Sequence, residues 1–391
     1  MKKFAALLLA LMMVFSLTAC KSNETTTEKV EDTTAAVTEA VQEATDAVET
    51  VATTYPEEKV LIGVEIYDPT DSEFLALQEY FGYLAENMNV EFKYSEAIAD
   101  ADGEMKFIED CAIAGAKGFI AYYNVTGVEQ PRAVIDYGMY FWGASEDETI
   151  YSTFSADPLY LGSVNTGNGD YAGGHAMGEW VLEQGFDTVI YANGGADFGV
   201  PLFTARQQGF MDAMEGSNVK IVTVSGFPGD QFFADQAAAL GTEGLDAVCA
   251  SFNGVDFWAQ PIASAGLKDT VKLATIGSIN QAYVDAFNDG SVSLVASANI
   301  QRFGIAIGMI CNAVDGNADA LKVDGAATSA PDDIWIVKSA EDCQKLFDLQ
   351  KGEKVFTADE IKSLSVKVNP GANAQTITDL IASAKLENLL K

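Results

Sequence analysis

Arg206 stands in the run Phe203-Thr204-Ala205-Arg206-Gln207-Gln208-Gly209-Phe210, on a predicted helix that follows the strand-like residues 187–192. A guanidinium in that place presents a planar fork of donors suited to vicinal hydroxyls or a ring oxygen. The chain has only 23 Lys and Arg against 57 Asp and Glu, so a cation at a helix start is informative. Phe141, Trp142, Phe198 and Trp258 fall in predicted loops, where a ring either stacks on a C–H face or completes a core. Asn124, after the run 118–123, both donates and accepts, which suits hydroxyls and suits a turn equally. The parts needed for catalysis are missing. His175 is the single histidine, which excludes a multi-His metal site, and the five cysteines show no C-x-x-C spacing. There is no G-x-S-x-G elbow, Gly194–Gly199 lacks the G-x-G-x-x-G spacing, and the carboxylates are too many to single out a glycosidase pair. No catalytic residue, metal or cofactor is expected. A formal charge of −34 with no basic face excludes nucleic-acid binding. What remains is recognition of a small molecule.

The amino terminus bears on where that happens. Lys2 and Lys3 precede an apolar run from Phe4 to Leu17 whose only polar residue is Ser16. This is an export signal, too short and too promptly followed by polar residues for a comfortable membrane span. Leu17-Thr18-Ala19-Cys20 resembles the bacterial lipoprotein signal, which implies cleavage before Cys20, acylation of its thiol and a lipid anchor on the cell membrane. Residues 21–56 hold ten Thr, eight acids and two Lys, with no aromatic before Tyr55. Such a segment buries too little to fold and reads as a solvated tether. Cys111, Cys249, Cys311 and Cys343 lie in apolar surroundings and are expected as small buried hydrophobes, with one disulfide also possible.

From Lys59 onward, short apolar runs alternate with amphipathic segments. Residues 59–66 form a buried-strand run, and Phe74, Leu77, Phe81, Leu84 and Met88 then recur at helical steps. A second series of strands and helices begins near Asn168. Strands alternating with helices of 10–15 residues imply right-handed βαβ units and parallel sheets covered on both faces. The expected fold is α/β: two doubly wound parallel-sheet lobes joined by a multi-crossing hinge, with a carboxyl-terminal extension.

Six segments, in order over about 57–316, carry a resemblance: LIGVEIYDPTDSEFLALQEYFGYLAE, IEDCAIAGAKGFIAYY, TGNGDYAGGHAMGEWV, FTARQQGFMDAM, LDAVCASFNGVDFWAQPIASAGLKD and SVSLVASANIQRFGIAIGMICNAVDG. Together they resemble the type I periplasmic-type binding proteins, in the ribose- and galactose-binding branch. The resemblance implies an exported, non-enzymatic receptor that holds a small polar solute between its lobes and hands it to an ABC permease. The expected boundaries are 1–19 signal, 20–56 lipidated Cys20 and tether, 57–157 first lobe with about 281–315 returning to it, 158–280 second lobe, and 316–391 extension. Chain crossings are expected near Phe154–Leu161, Gly277–Asn280 and Ser297–Gln301.

The resemblance also implies ligand contacts. In the loop after the first strand, Asp68 or Glu73 would supply a polar group and Phe74 a ring, with Tyr67 a further contender; a helix cap at Asp71 or Ser72 and a core Phe is the alternative. Arg206 matches the Arg of the family's helix pattern, and Asn253 and Asp256 stand where the family carries Asn-Asp. Asn299 or Gln301 matches the polar residue after the last core strand; Asn124, Trp142 and Trp258 complete the set. Gly277-Ser278-Ile279-Asn280 lacks the family's Asp, which argues against an ordinary hexose or pentose. The expected ligand is a carbohydrate-like solute, with a nucleoside or another small polar metabolite as the alternative, and the protein a monomer. A sensory subunit serving a membrane kinase or chemoreceptor is the alternative role.

Overall fold

The computed structural model describes residues 55–391 except 145–147, 166 and 332, so the signal, Cys20 and nearly all of the tether lie outside the described residues. In the first lobe β1 (Val60–Glu65), α1 (Ser72–Asn87), β2 (Val90–Tyr94), α2 (Ala101–Ile113), β3 (Gly118–Ala121), α3 (Glu129–Asp136), β4 (Tyr140–Gly143), α4 (Glu148–Phe154) and β5 (Tyr160–Asn165) follow one another. The second lobe continues with α5 (Gly167–Gln184), β6 (Thr188–Gly194), α6 (Pro201–Ala213), β7 (Lys220–Ser225), α7 (Asp230–Leu240), β8 (Ala247–Ala250), α8 (Gln260–Ser264), β9 (Lys272–Ile276), α9 (Gln281–Asn288) and β10 (Leu294–Ser297). The chain ends in α10 (Phe303–Val314), β11 (Thr328–Pro331), β12 (Trp335–Val337), α11 (Ala340–Lys351), α12 (Ala358–Lys362), α13 (Ala374–Ser383) and α14 (Leu386–Leu389).

One sheet runs β11-β5-β4-β3-β1-β2, all parallel; the other runs β12-β10-β9-β8-β6-β7, with only β12 antiparallel. The expected two doubly wound lobes are present. The strands are continuous apolar runs because helices cover both faces. All four residues of β3, β8 and β10 are buried. Strand order reverses between β1 and β3 in one sheet and between β6 and β8 in the other, which opens a crevice at the carboxyl ends of those strands.

The boundaries need correction. Residues 160–165, expected in the second lobe, are β5 of the first sheet. Residues 294–297, expected to return to the first lobe, are β10 of the second, because an apolar strand needs neighbours on both edges and finds β9 and β12 there. Gly277–Asn280 is a turn inside the second lobe and Phe154–Leu161 lies inside the first. The chain passes between lobes after β5, between β10 and α10, and between β11 and β12. Of the expected crossings, only Ser297–Gln301 coincides with one of these. The helix that returns is α10, whose Ile310 would lie 2.6 Å from a Cβ added at Gly118 of β3.

The extension is part of the core rather than a wrapping on it. Tyr80 of α1 donates to Phe356 O at 2.9 Å, and Trp335 Nε1 donates to Ala384 O at 2.9 Å. Ile361 and Leu364 are fully buried against Gly304 and Gly308 of α10, which lets the backbones approach. The four described cysteines are free and buried, as their surroundings imply. No helix among the described residues is long and apolar enough to cross a membrane. Truncating a fully buried Ile costs about 2–5 kcal/mol because a cavity remains. Ile361→Ala is therefore expected to lower the free energy of urea unfolding by that amount, and a loss below about 0.5 kcal/mol would mean the extension packs loosely.

Candidate functional site between the lobes

Asp71 begins the site from the first lobe. It is the N-cap of α1: Oδ1 accepts from Glu73 N at 2.8 Å and Phe74 N at 3.4 Å, satisfying donors that the first helical turn leaves open. Its other oxygen accepts from Tyr67 OH at 2.6 Å and from Asn253 Nδ2 of the second lobe at 3.3 Å. Asn253 can reach across because its backbone turns into the left-handed region, φ 34°, which Asn tolerates better than most residues. Glu73, in the first turn of α1, faces Tyr122 just after β3, Ser278 after β9 and Arg302 of the hinge. Burial pushes its carboxyl up and Asp71 adds to this, while Arg302, Tyr122 and Ser278 favour the charged form. Desolvation, with the Asp71 charge, also raises Asp256 from the facing lobe. Both lobes thus place acceptors at the carboxyl ends of their sheets, where the strand order opens the crevice.

Arg206 is braced. Nε and Nη2 meet Asp170 Oδ1 at 2.8 and 2.7 Å, Nη1 donates to Ser251 O at 2.7 Å, and the guanidinium lies 5.3 Å from the centre of the Phe203 ring. Part of the fork is therefore committed to holding α5, α6 and the end of β8 together. The other candidates divide by role. Asn253 and Asp256 share the crevice with Asp71 and Glu73. Asp68 accepts from Thr70 N at 2.8 Å and Thr70 Oγ1 at 2.7 Å and forms a turn. Asn124 closes another, donating to Gly127 O at 3.0 Å and accepting from Gly127 N at 2.6 Å. Asn299 caps the turn 300–302 through Gln301 N at 3.0 Å.

Four candidates are corrected. Phe74, Trp142 and Trp258 are buried, packed edge-on against Tyr94, Phe303 and Phe232, so they complete cores instead of offering stacking faces. Gln301 spends both ends of its amide on the extension: Nε2 donates to Gln350 O at 2.9 Å and Oε1 accepts from Val355 N at 2.7 Å. The cross-lobe bond of Asp71 and the approach of Ser278 to Glu73 were not apparent from the sequence. An Asp cap beside a second acid, with Asn253 in a Gly-flanked loop, is the signal that pointed there.

The Tyr122–Gly127 loop is held from behind by a buried carboxyl group. Glu104 of α2, fully buried, accepts from Val125 N at 2.6 Å, Thr126 N at 3.0 Å and Gln130 Nε2 at 3.0 Å, and from the Thr126 hydroxyl. Beside it, at the end of β1, burial and the proximity of Glu104 push the Glu65 carboxyl up to about 10. Glu65 is then neutral in the folded protein at neutral pH and ionised in the unfolded chain. Its contribution to stability is whole below the ordinary carboxylate range and is lost as pH rises toward about 10. Glu65→Gln mimics the neutral form and removes this loss. The variant's melting temperature should match wild type near about pH 5 and exceed it by several degrees near about pH 8. A gap that does not widen with pH would show that Glu65 ionises in the fold.

No family model and no curated protein matches the sequence. Solved structures do. A galactofuranose binding protein aligns with TM-score 0.59 and 15% identity, covering 75% of this chain and 98% of that one. GanP, a glucose-galactose binding protein from Geobacillus stearothermophilus, aligns with TM-score 0.54 and 13% identity over 72% of this chain and 98% of its own. The binding-protein component of the arabinose ABC transporter from Shewanella sp. ANA-3, bound to L-arabinofuranose, aligns with TM-score 0.56 and 16% identity over 75% and 96%. The fold of this chain is that of the type I periplasmic-type binding proteins, as its six segments imply.

Proposed function

We propose that this chain is an extracytoplasmic receptor, anchored by lipid at Cys20, that closes its lobes over a small carbohydrate-like solute. It delivers the solute as a monomer to the permease of an ABC importer and performs no chemistry on it. The observation that carries this reading is the meeting of polar groups from both lobes, Asp71 and Glu73 with Asn253, Asp256 and Ser278, at the carboxyl ends of two parallel sheets. Carboxylates accept strongly from hydroxyls, and the N–H groups of Arg206 beyond those given to Asp170 and Ser251 would supply the matching donors. The sugars named for the three similar structures support a carbohydrate over other polar solutes. Hinge closure over a bound solute reports occupancy to the membrane partner.

Small-angle scattering tests closure, since a bound solute should reduce the radius of gyration; a proven ligand that leaves the profile unchanged counts against the reading. Asn253→Gly removes the side chain while keeping the left-handed backbone affordable. It should leave the melting temperature nearly unchanged and weaken binding, read by titration calorimetry, by about tenfold or more. Arg206→Ala should weaken binding by about a hundredfold and also destabilise the fold, because buried Asp170 loses its partner. Arg206→Lys should recover stability more than affinity, since an ammonium lacks the fork.

A further inference from the structure

A second concavity lies on the flank of the molecule, where the extension closes against both lobes. It encloses about 330 Å³ and is walled by Leu75 of α1, Ile279 ahead of α9, Ile300 of the crossing and Phe347 of α11. That volume stands at the lower end of those that hold small molecules, and apolar walls with a few polar groups are the usual make-up of such sites. Leu75 lines it and is still 50% exposed, so half of this apolar side chain is left uncovered by protein. Most polar groups at the rim are already engaged. Asn280 caps α9 through Ala282 N at 2.8 Å, Gln301 serves the extension, and Lys351 pairs with Glu79. Lys354 is the exception. Its Nζ donates to Gln350 O at 3.1 Å and to Lys351 O, and lies 5.2 Å from the centre of the Tyr83 ring; no acid pairs with it among the described residues. Burial pulls its ammonium below the usual lysine range, because the charge is incompletely solvated. Its backbone is left-handed, φ 74°, where glycine or asparagine is the ordinary occupant. A lysine held there, short of a counter-charge at the mouth of an apolar cavity, is fitted for an anion.

We infer that this flank cavity is a second binding site, one that takes a small carboxylate with an apolar body. The carboxylate meets the Lys354 ammonium, and the hydrocarbon part covers Leu75, Ile279, Ile300 and Phe347. Phe347 and Lys354 belong to the extension, beyond the six segments that carry the family resemblance, so the site is built by what this chain adds to them. Neither residue is among those that meet in the crevice.

Ligand-observed NMR titration of the full chain tests this, with hexanoate and isovalerate as probes and hexanamide and isovaleramide as their uncharged counterparts. Saturable binding of at least one carboxylate, with its amide about tenfold weaker or more, is the expected result, because the amide loses the charge-assisted bond. Lys354→Gln should weaken the carboxylate by about tenfold or more. Ala76→Leu fills the cavity from α1 with a good helix former, and should abolish binding with little change in melting temperature. Asn253→Gly, in the crevice, should leave the binding as it is. No saturable binding of either carboxylate below about 10 mM overturns the inference, as do amides that bind equally well or indifference to Lys354→Gln or Ala76→Leu. Weakening by Asn253→Gly would place the probe in the crevice and overturns it too, while the crevice reading stands.

Discussion

Parallel strands can follow one another only by way of a crossover, and that constraint governs this molecule. Each strand must be followed by a segment that climbs back over a face of the sheet, so the carboxyl ends of all parallel strands emerge along one edge. Helices beginning there bring unsatisfied N–H groups to the same edge. The caps they require, Asp71 on α1 and Asn280 on α9, are therefore also the polar groups at the crevice. Asp71 shows how far one carboxylate can be used. A single side chain caps a helix, takes the Tyr67 hydroxyl and reaches the opposite lobe.

The charge balance acts differently at depth and at the surface. Across the whole chain −34 is spread over solvated faces, where repulsion is screened. Behind the crevice, Glu104 of α2 is enclosed by donors from the Tyr122–Gly127 loop and α3, and burial, with Glu104 beside it, keeps Glu65 neutral. The loop that carries Tyr122 to the crevice is fixed by the bonds to Glu104. Arg206 and Asp170 form the counterpart in the second lobe, where one ion pair sets the spacing of α5 and α6. Gly174 and Gly209 allow the approach: a Cβ on either would collide with backbone of the facing helix.

The lobes were legible in the sequence because buried parallel strands leave continuous apolar runs and their covering helices leave a 3.6-residue stripe, as in 59–66 followed by Phe74, Leu77 and Phe81. The assignment of strands to lobes was not. Residues 294–297 look alike whichever sheet they join, and only long-range pairing with Ala274–Ile276 and Trp335–Val337 decides it. Side-chain type and strand-end position pointed to Asn253 and Asp256, and both lie beside Asp71 at that edge. Rings were less legible: Trp142 and Trp258 have the composition of contacts and the burial of core.

Gln301 has a mechanical consequence. Its amide joins the crossing at 298–302 to Gln350 and Val355, so any rotation that moves this crossing against the extension breaks two buried hydrogen bonds at once. The extension itself straddles the lobes: α11 lies on α9 of the second, and α12 on α1 and α10 of the first. The stretch 352–357 between α11 and α12 makes that passage. Gly352 ends the helix there and Lys354 takes a left-handed turn, φ 74°. The chain thus passes between the lobes a fourth time at 352–357, through a link already fastened to the crossing by Gln301 and to α1 by Tyr80.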